Sequence, residues 1–244
     1  MKPLLTIVIA TYNEERRLPA TLERMFASLA GQDFDFEFLI VDDGSRDGTV
    51  DYVRKLAASR AGVSLRTRSP NQGRGAAIRE GVLAAKGDLV LETDADGSVD
   101  DEAIIRFVRF FQEHPEIHAI FGSREMSGAR IVQHQPLPRI LLGYGFLFLS
   151  RAVLRSPRTT DFTLGFKMFS REAAQDIFAH QFDNQFVAEA EIVHVARLRG
   201  WRTHELPVTW TNNRDSRVHA VRDSVRSLRG VGSLLARELG GRYK

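Results

Sequence analysis

The first 124 residues alternate short apolar, β-branched runs with helix-like stretches, and this alternation narrows the chain to few folds. The runs are LLTIVIA at 4–10, FEFLIVDD at 36–43, VSLRTR at 63–68, DLVLETDAD at 88–96 and IHAIFGSR at 117–124. Helical sequence runs through Arg24 to Leu29 and over 50–58, 75–86 and 101–112. Strands that take turns with helices predict an α/β fold: a mostly parallel sheet, helices on both faces, right-handed crossovers. The second half is less regular. A helix is expected over 137–155, a short strand at 165–170 and a helix over REAAQDIF. A long helix is expected over 186–199, a strand at 203–210 and a basic helix from near Val218. No repeat, low-complexity linker or boundary interrupts it, so one domain over 1–244 is expected.

An apolar share of 43% and a charged share of 27% fit an ordinary globular chain. The absence of cysteine removes disulfides, thiolate metal sites and thiol nucleophiles. The opening MKPLLTIVIATYNEE reads as a first buried strand rather than an export signal. The longest apolar stretch, Ile140 to Leu149, falls short of the roughly 18–20 residues that span a bilayer. The net charge of +3 hides an asymmetry: from Arg197 to Lys244 there are eleven Lys/Arg against four Asp/Glu. Such a basic region attracts phosphates, or is simply a solvated helical face.

Four polar clusters fall where strands should end: Thr11-Tyr12-Asn13-Glu14, Asp42-Asp43-Gly44-Ser45, Asn71 to Gly75, and Asp94-Ala95-Asp96. Each has a structural explanation alone. Thr11 and Glu14 have capping-box spacing, and Ser45 or Asp47 suits an N-cap. NQGRG suits a turn into a helix, and Asp96-Gly97 a β-turn. Ligands of open parallel sheets bind beyond the carboxyl ends of the strands, so one sheet would gather all four clusters at one crevice. Asp94 and Asp96 carry the sharpest signal. They follow the nearly apolar run LVLET, and two carboxylates there are costly unless wet or bound to a cation. Spaced by one residue, both can approach Mg²⁺ or Mn²⁺, with a diphosphate completing the shell. NQGRGAAIREG resembles a phosphate loop but lacks the Walker ending and follows the third strand, which argues against a dinucleotide site. Arg74 and Arg79 steady a ribose or phosphate there, or face water. His114 and His118 are four apart, but Pro115 interrupts that face. No serine sits in a nucleophile elbow, and no carboxylate pair reads as a glycosidase pair.

IVIATYNEERRLP, FLIVDDGSRDGTV, NQGRGAAIREGVLAAKGDLVLETDADGS and GFKMFSREAA together resemble family-two glycosyltransferases of the GT-A fold. GSR at 122–124, PRILLGYGFLF, TDFTLGFKMFSREAA, LRGWRTHELPVTW and TNNRDSRV narrow the resemblance to the polyprenyl- and dolichyl-phosphate sugar synthases, the glucosyl branch ahead of the mannosyl.

The resemblance implies inverting transfer of a hexose from a nucleoside diphosphate sugar to a polyprenyl phosphate, with Mg²⁺ or Mn²⁺. UDP-glucose stands ahead of GDP-mannose as donor. It assigns 1–124 to the nucleotide-sugar and 125–244 to the acceptor and membrane, with interfacial helices. Ala10, Thr11, Tyr12, Asn13 and Glu14, with Asp42 and Asp43, would hold base and ribose. Asn71, Gly73 and Gly75 would line the nucleotide side, and Asp94 and Asp96 would take the metal. Asp96, Arg124 and Lys167 would serve the reaction centre, the last two facing the phosphates, and Arg139 would meet the lipid phosphate. The expected setting is the cytoplasmic face of a membrane, peripherally bound through 136–155, with no nucleic-acid partner and room for a homo-oligomer. Several positions depart from the family pattern: Ala10 for Pro, Arg74 for Lys, TDFTLGFK for DTQCGFK, Ala188-Glu189-Ala190-Glu191 for FDVE, and Ser98 for Gln. A family member with a soluble or polysaccharide acceptor would share every donor-side residue. A nucleotidyltransferase would show a glycine-rich loop after the first strand, where TYNEE stands. A non-catalytic nucleotide or nucleic-acid binder is suggested only by the pI.

Overall fold

The computed structural model describes residues 4–133, 137–185, 187–211 and 220–243; of residues 133, 137–142 and 220–229 it gives the backbone alone. In chain order the elements are β1 (Leu4–Thr11), α1 (Leu18–Leu29), β2 (Asp35–Asp42), α2 (Thr49–Ser59), β3 (Val63–Thr67), α3 (Arg74–Ala84), β4 (Leu89–Asp94), α4 (Glu102–Glu113) and β5 (Ala119–Ser123). Then come β6 (Arg130–Gln133), α5 (Leu137–Val153), β7 (Lys167–Ser170), α6 (Arg171–Ala179), α7 (Ala188–Leu198), β8 (Thr203–Pro207), β9 (Thr209–Thr211) and α8 (Ala220–Leu239).

Seven strands form one sheet in the order β3-β2-β1-β4-β7-β5-β8. All neighbours run parallel except β7, which lies antiparallel to both β4 and β5. The expected α/β fold is therefore observed. Side chains alternate across each strand, so one sheet feeds two cores. Leu5, Ile7 and Ile9 of β1 face a core with Phe38, Ile40 and Leu91. Val8 faces a second core with Leu39, Val41 and Val90. α4 shows why the helices fit. Ala103, Ile104, Phe107, Val108 and Phe111 recur on one face and are buried, while the opposite face is charged. α1 and α4 cover the first core; α3, α6 and α7 cover the second.

The first half follows the sequence pattern closely. The second half differs in two ways. The strand expected at 203–210 divides at Val208 into β8 and β9, and β9 leaves the main sheet to pair with β6. The sequence offered no sign of β6. The start of the last helix near Val218 lies outside the described residues, which resume at Ala220.

Candidate active site

The exits of β1, β2 and β4 and the loop after β3 meet at one edge of the sheet. At β1, Asn13 takes a left-handed conformation (φ 57°), which asparagine tolerates better than most residues. Its backbone N–H donates to Ser45 Oγ at 2.8 Å, and its Oδ1 accepts from the Arg46 N–H at 2.8 Å. This reciprocal pair binds the β1 exit to the β2 exit. Glu14 N–H donates to Thr49 Oγ1 at 2.8 Å. Because α1 begins at Leu18, Thr11 and Glu14 form no capping box. Tyr12 projects outward, and Ala10 and Thr11 end β1 beside Asp94 and Asp42.

Asp42 and Asp43 are buried and turn their carboxylates into the loops. Asp42 accepts from the N–H groups of Gly44 and Ser45 at 3.1 and 2.9 Å. Asp43 accepts from Gln72 N–H at 3.0 Å and Gly73 N–H at 2.7 Å, and the Asn71 amide donates to the Asp43 carbonyl at 2.9 Å. The acids after β2 thus shape the 71–75 loop. Gly73 has a φ of 105°, and a Cβ on it would come within 2.3 Å of the Asn184 carbonyl. A Cβ on Gly75 would meet Ala188 Cβ at 2.6 Å. Asp183, Asn184, Gln185 and Ala188 lie directly behind this loop.

Asp94 ends β4 and Asp96 follows it. The Asp94 side chain is 43% exposed, and its Oδ1 accepts from Arg74 Nε at 2.6 Å. Desolvation by the surrounding protein pushes the Asp94 carboxyl up, Arg74 pulls it down, and the Asp96 charge raises it again. Asp96 Oδ1 accepts from the Ser98 N–H at 3.0 Å and Oγ at 2.7 Å. Gly97 follows with a φ of 62°, so the expected turn is present. Asp96 Oδ2 lies 3.9 Å from Arg17 Nη1.

Behind Asp94 lies a buried charge cluster. The fully buried Lys167 pairs with Glu189, donates to the Leu164 carbonyl at 2.5 Å and lies 3.7 Å from Glu92. Arg74 pairs with the other oxygen of Glu189 and lies 4.0 Å from Glu92. Glu92 is fully buried, and neither of its oxygens has a hydrogen-bond partner. Burial and the Glu189 charge push its carboxyl up to about 8, against the pull of Lys167 and Arg74. Gly165 leaves room for this cluster: a Cβ there would come within 2.1 Å of Arg74 Nη2.

Lys167 thus faces buried carboxylates, not the crevice. Arg124 grips Asp161 with Nε at 2.7 Å and Nη2 at 3.0 Å, and Nη2 also donates to Thr163 Oγ1 at 2.6 Å. Arg139 stands in the first turn of α5, and its side chain lies outside the described residues. Arg74 points inward, while Arg79 donates to the Gln181 carbonyl at 2.8 Å. Sequence reading gave no role to Glu92, Glu189 or Asp161, although Glu189 stood in the segment that replaces FDVE. One signal was available for Glu92, an acid inside an otherwise apolar strand.

Among the described residues no group of three or more His, Asp or Glu side chains forms a metal cage. Asp94 and Asp96 offer hard oxygen donors from either side of Ala95, and each has one oxygen engaged by the protein bonds described above. That set suits a divalent cation whose remaining ligands come from a diphosphate.

A mostly parallel sheet with acids gathered at the exits of β1, β2 and β4 describes a glycosyltransferase of the GT-A fold. A family model, "Glycosyl transferase family 2", matches residues 6–178, and the chain belongs to that family. More particularly, its curated relatives include dolichyl-phosphate β-glucosyltransferases. The Trichomonas vaginalis protein ALG5A is 33% identical over 215 residues, which cover 84% of this chain and 65% of that protein. The Homo sapiens protein is 31% identical over 228 residues, covering 88% of this chain and 69% of that one. The chain thus spans about two thirds of the length of these relatives. Among solved structures, the Mycobacterium tuberculosis glucosyl-3-phosphoglycerate synthase in complex with Mn²⁺, UDP-glucose and phosphoglyceric acid superposes with a TM-score of 0.66. It is 16% identical and covers 99% of this chain and 80% of that one. Staphylococcus aureus TarS 1–349 with UDP-GlcNAc gives 0.63 at 18% identity, covering 96% and 66%. These two likenesses speak to the fold.

Proposed function

We propose that this chain transfers a hexose, glucose ahead of mannose, from a nucleoside diphosphate sugar to a polyprenyl or dolichyl phosphate, with inversion. The observation that carries the donor half is the pair Asp94 and Asp96 at the exit of β4, bordered by the β1, β2 and 71–75 loops. The acceptor half rests on likeness to the dolichyl-phosphate β-glucosyltransferases. Asp94 and Asp96 would hold Mg²⁺ or Mn²⁺, which supplies neutralising charge to the departing diphosphate. The loop residues Ala10 to Glu14 and Asn71, Gly73 and Gly75 border the nucleotide, with Asp42 and Asp43 setting their backbone from behind.

A phosphate monoester has its second pKa near 6, so the acceptor is already largely an anion at neutral pH. No protein base is required, and the chain's task is alignment and charge stabilisation. Arg124, fixed by its two-pronged grip on Asp161, brings positive charge to that region in a set orientation. Lys167, fully buried, acts on the site through Glu189 and Arg74. Arg139, at the start of α5, meets the lipid phosphate. The same helix approaches the cytoplasmic face of a membrane, since it exposes Tyr144 and Phe148 one turn apart. Among the described residues no helix is long and apolar enough to cross a bilayer.

The test is a transfer assay with UDP-glucose or GDP-mannose, a short polyprenyl phosphate and Mn²⁺. Asp96→Ala should lower turnover by about a thousandfold or more if cation-held diphosphate is the main catalytic device. Near-normal turnover in that variant removes the metal role, and transfer to a sugar but not to the lipid phosphate removes the acceptor assignment.

A further inference from the structure

Glu191 lies in the first turn of α7, fully buried, yet it belongs to neither the sheet-edge crevice nor the Glu92 cluster. Its carboxylate hydrogen-bonds the 181–185 segment to the C-terminal end of α8, where Tyr243 and Arg237 also lie against the Phe182 ring. Oε2 accepts from the backbone N–H groups of Phe182 and Asp183, at 2.9 and 2.6 Å. Oε1 accepts from the Tyr243 hydroxyl at 2.5 Å and from Arg237 Nη1 at 2.9 Å. Arg237 stands in the last turn of α8, and Tyr243 follows that helix, itself buried. Four donors on one buried carboxylate satisfy it fully, and hydrogen bonds to a charged group are the stronger kind.

The segment held on the Oε2 side, 181–185, has no regular secondary structure, so its shape depends on such bonds. It touches the 71–75 loop repeatedly. Gly75 N–H donates to the Asn184 carbonyl at 3.0 Å. Gln185 Nε2 donates to the Gln72 carbonyl at 3.1 Å, and Gln181 Nε2 to the Gly75 carbonyl at 3.2 Å. The Asn184 carbonyl also lies where a Cβ on Gly73 would go. A continuous chain of bonds therefore leads from α8 through Glu191 and 181–185 to the backbone of 72–75.

We propose that Glu191 is a positioning residue for donor binding: it transmits the hold of Arg237 and Tyr243 to the 181–185 loop, and so fixes the backbone that borders the nucleotide. This rests on the reading that 71–75 lines the donor site. Glu191 touches no substrate; it acts through the loop. The half of the chain that serves the acceptor thereby helps set affinity on the donor side.

The test measures UDP binding with Mn²⁺ by calorimetry in the wild type, Tyr243→Phe, Glu191→Gln and the double variant, each checked by thermal melting. Each single variant should weaken UDP about three- to tenfold, the net worth of one ordinary hydrogen bond, since the loop passes on only part of what the carboxylate loses. The double variant should be no weaker than Glu191→Gln alone, because the hydroxyl acts through the carboxylate. In the transfer assay KM for the donor should rise while kcat at saturating donor holds, a split that general loosening of the fold would not give. Unchanged UDP affinity in folded variants, or a fall in kcat with KM constant, overturns the relay. If Glu191→Gln does not fold, Tyr243→Phe decides alone. Amide exchange separates the two levels. Slower exchange at 71–77 in the wild type on adding UDP, with unaffected variants, sinks the relay only. No slowing there sinks the donor-loop reading and the relay together.

Discussion

At the scale of single residues, charge counting explains Glu92. Arg74 and Lys167 bring two positive charges to a cluster with three carboxylates, Glu92, Asp94 and Glu189. With all ionised, one negative charge is left over, and a proton on the fully buried Glu92 cancels it. Its folded pKa is raised to about 8 from 4.5. The folded state therefore holds the extra proton between those values, and the contribution to stability is complete below pH 4.5 and lost as pH rises through 8. Glu92→Gln, neutral at every pH, should gain in melting temperature relative to the wild type between pH 5.5 and pH 9; melts in buffers across that range give the answer, and a constant difference rules out the protonated carboxyl. Little of this was readable beforehand. Asp94 and Asp96 stood out because two acids followed an apolar run. Glu92 was absorbed into that run, and its neighbour Lys167 lies on a strand far along the chain that pairs with β4 by a register no local pattern encodes. Arg74 could be read as facing ligand or water, because a helix-start arginine gives no sign of which carboxylates surround it.

Elements show the same division between local and distant information. The β1-to-β5 order was legible because each strand and helix declares itself within about ten residues through its own period. β7 was recognised as a strand, but its antiparallel place between β4 and β5 was not, since pairing partners are set by tertiary packing. α3 illustrates a second limit. It lies so close to the sheet that a Cβ on Gly81 would stand 2.3 Å from Val8 Cγ1 and 2.9 Å from Val41 Cγ2. The sequence shows a glycine in mid-helix, which is locally unfavourable, and conceals the close approach that demands it. Gly81→Ala should lose about 1–3 kcal/mol by overpacking, despite alanine's better helix propensity. Urea unfolding measures this, and a variant as stable as the parent would mean the helix can move outward freely.

Over the whole molecule, apolar exposure is uneven. Phe148 is 77% exposed and Tyr144 51%, both on α5, a helix that packs beside α8. If this face meets lipid, flotation with anionic vesicles at low salt should carry the wild type upward. Phe148→Ser should bind about tenfold more weakly, as expected when one aromatic side chain no longer enters the interface. A wild type that stays at the bottom of the gradient refutes membrane contact through α5.

The place of β7 has a consequence for how such a chain is made. Strands β4 and β5 flank it, so they cannot be bridged until residues 167–170 have left the ribosome. Until then the nascent chain carries the early four-strand piece with its β4 border unpaired and β5 waiting for a neighbour, a situation that invites contact with other chains. Lys167 heads that late-arriving strand, so the charges beside Asp94 come together only after the sheet has been closed.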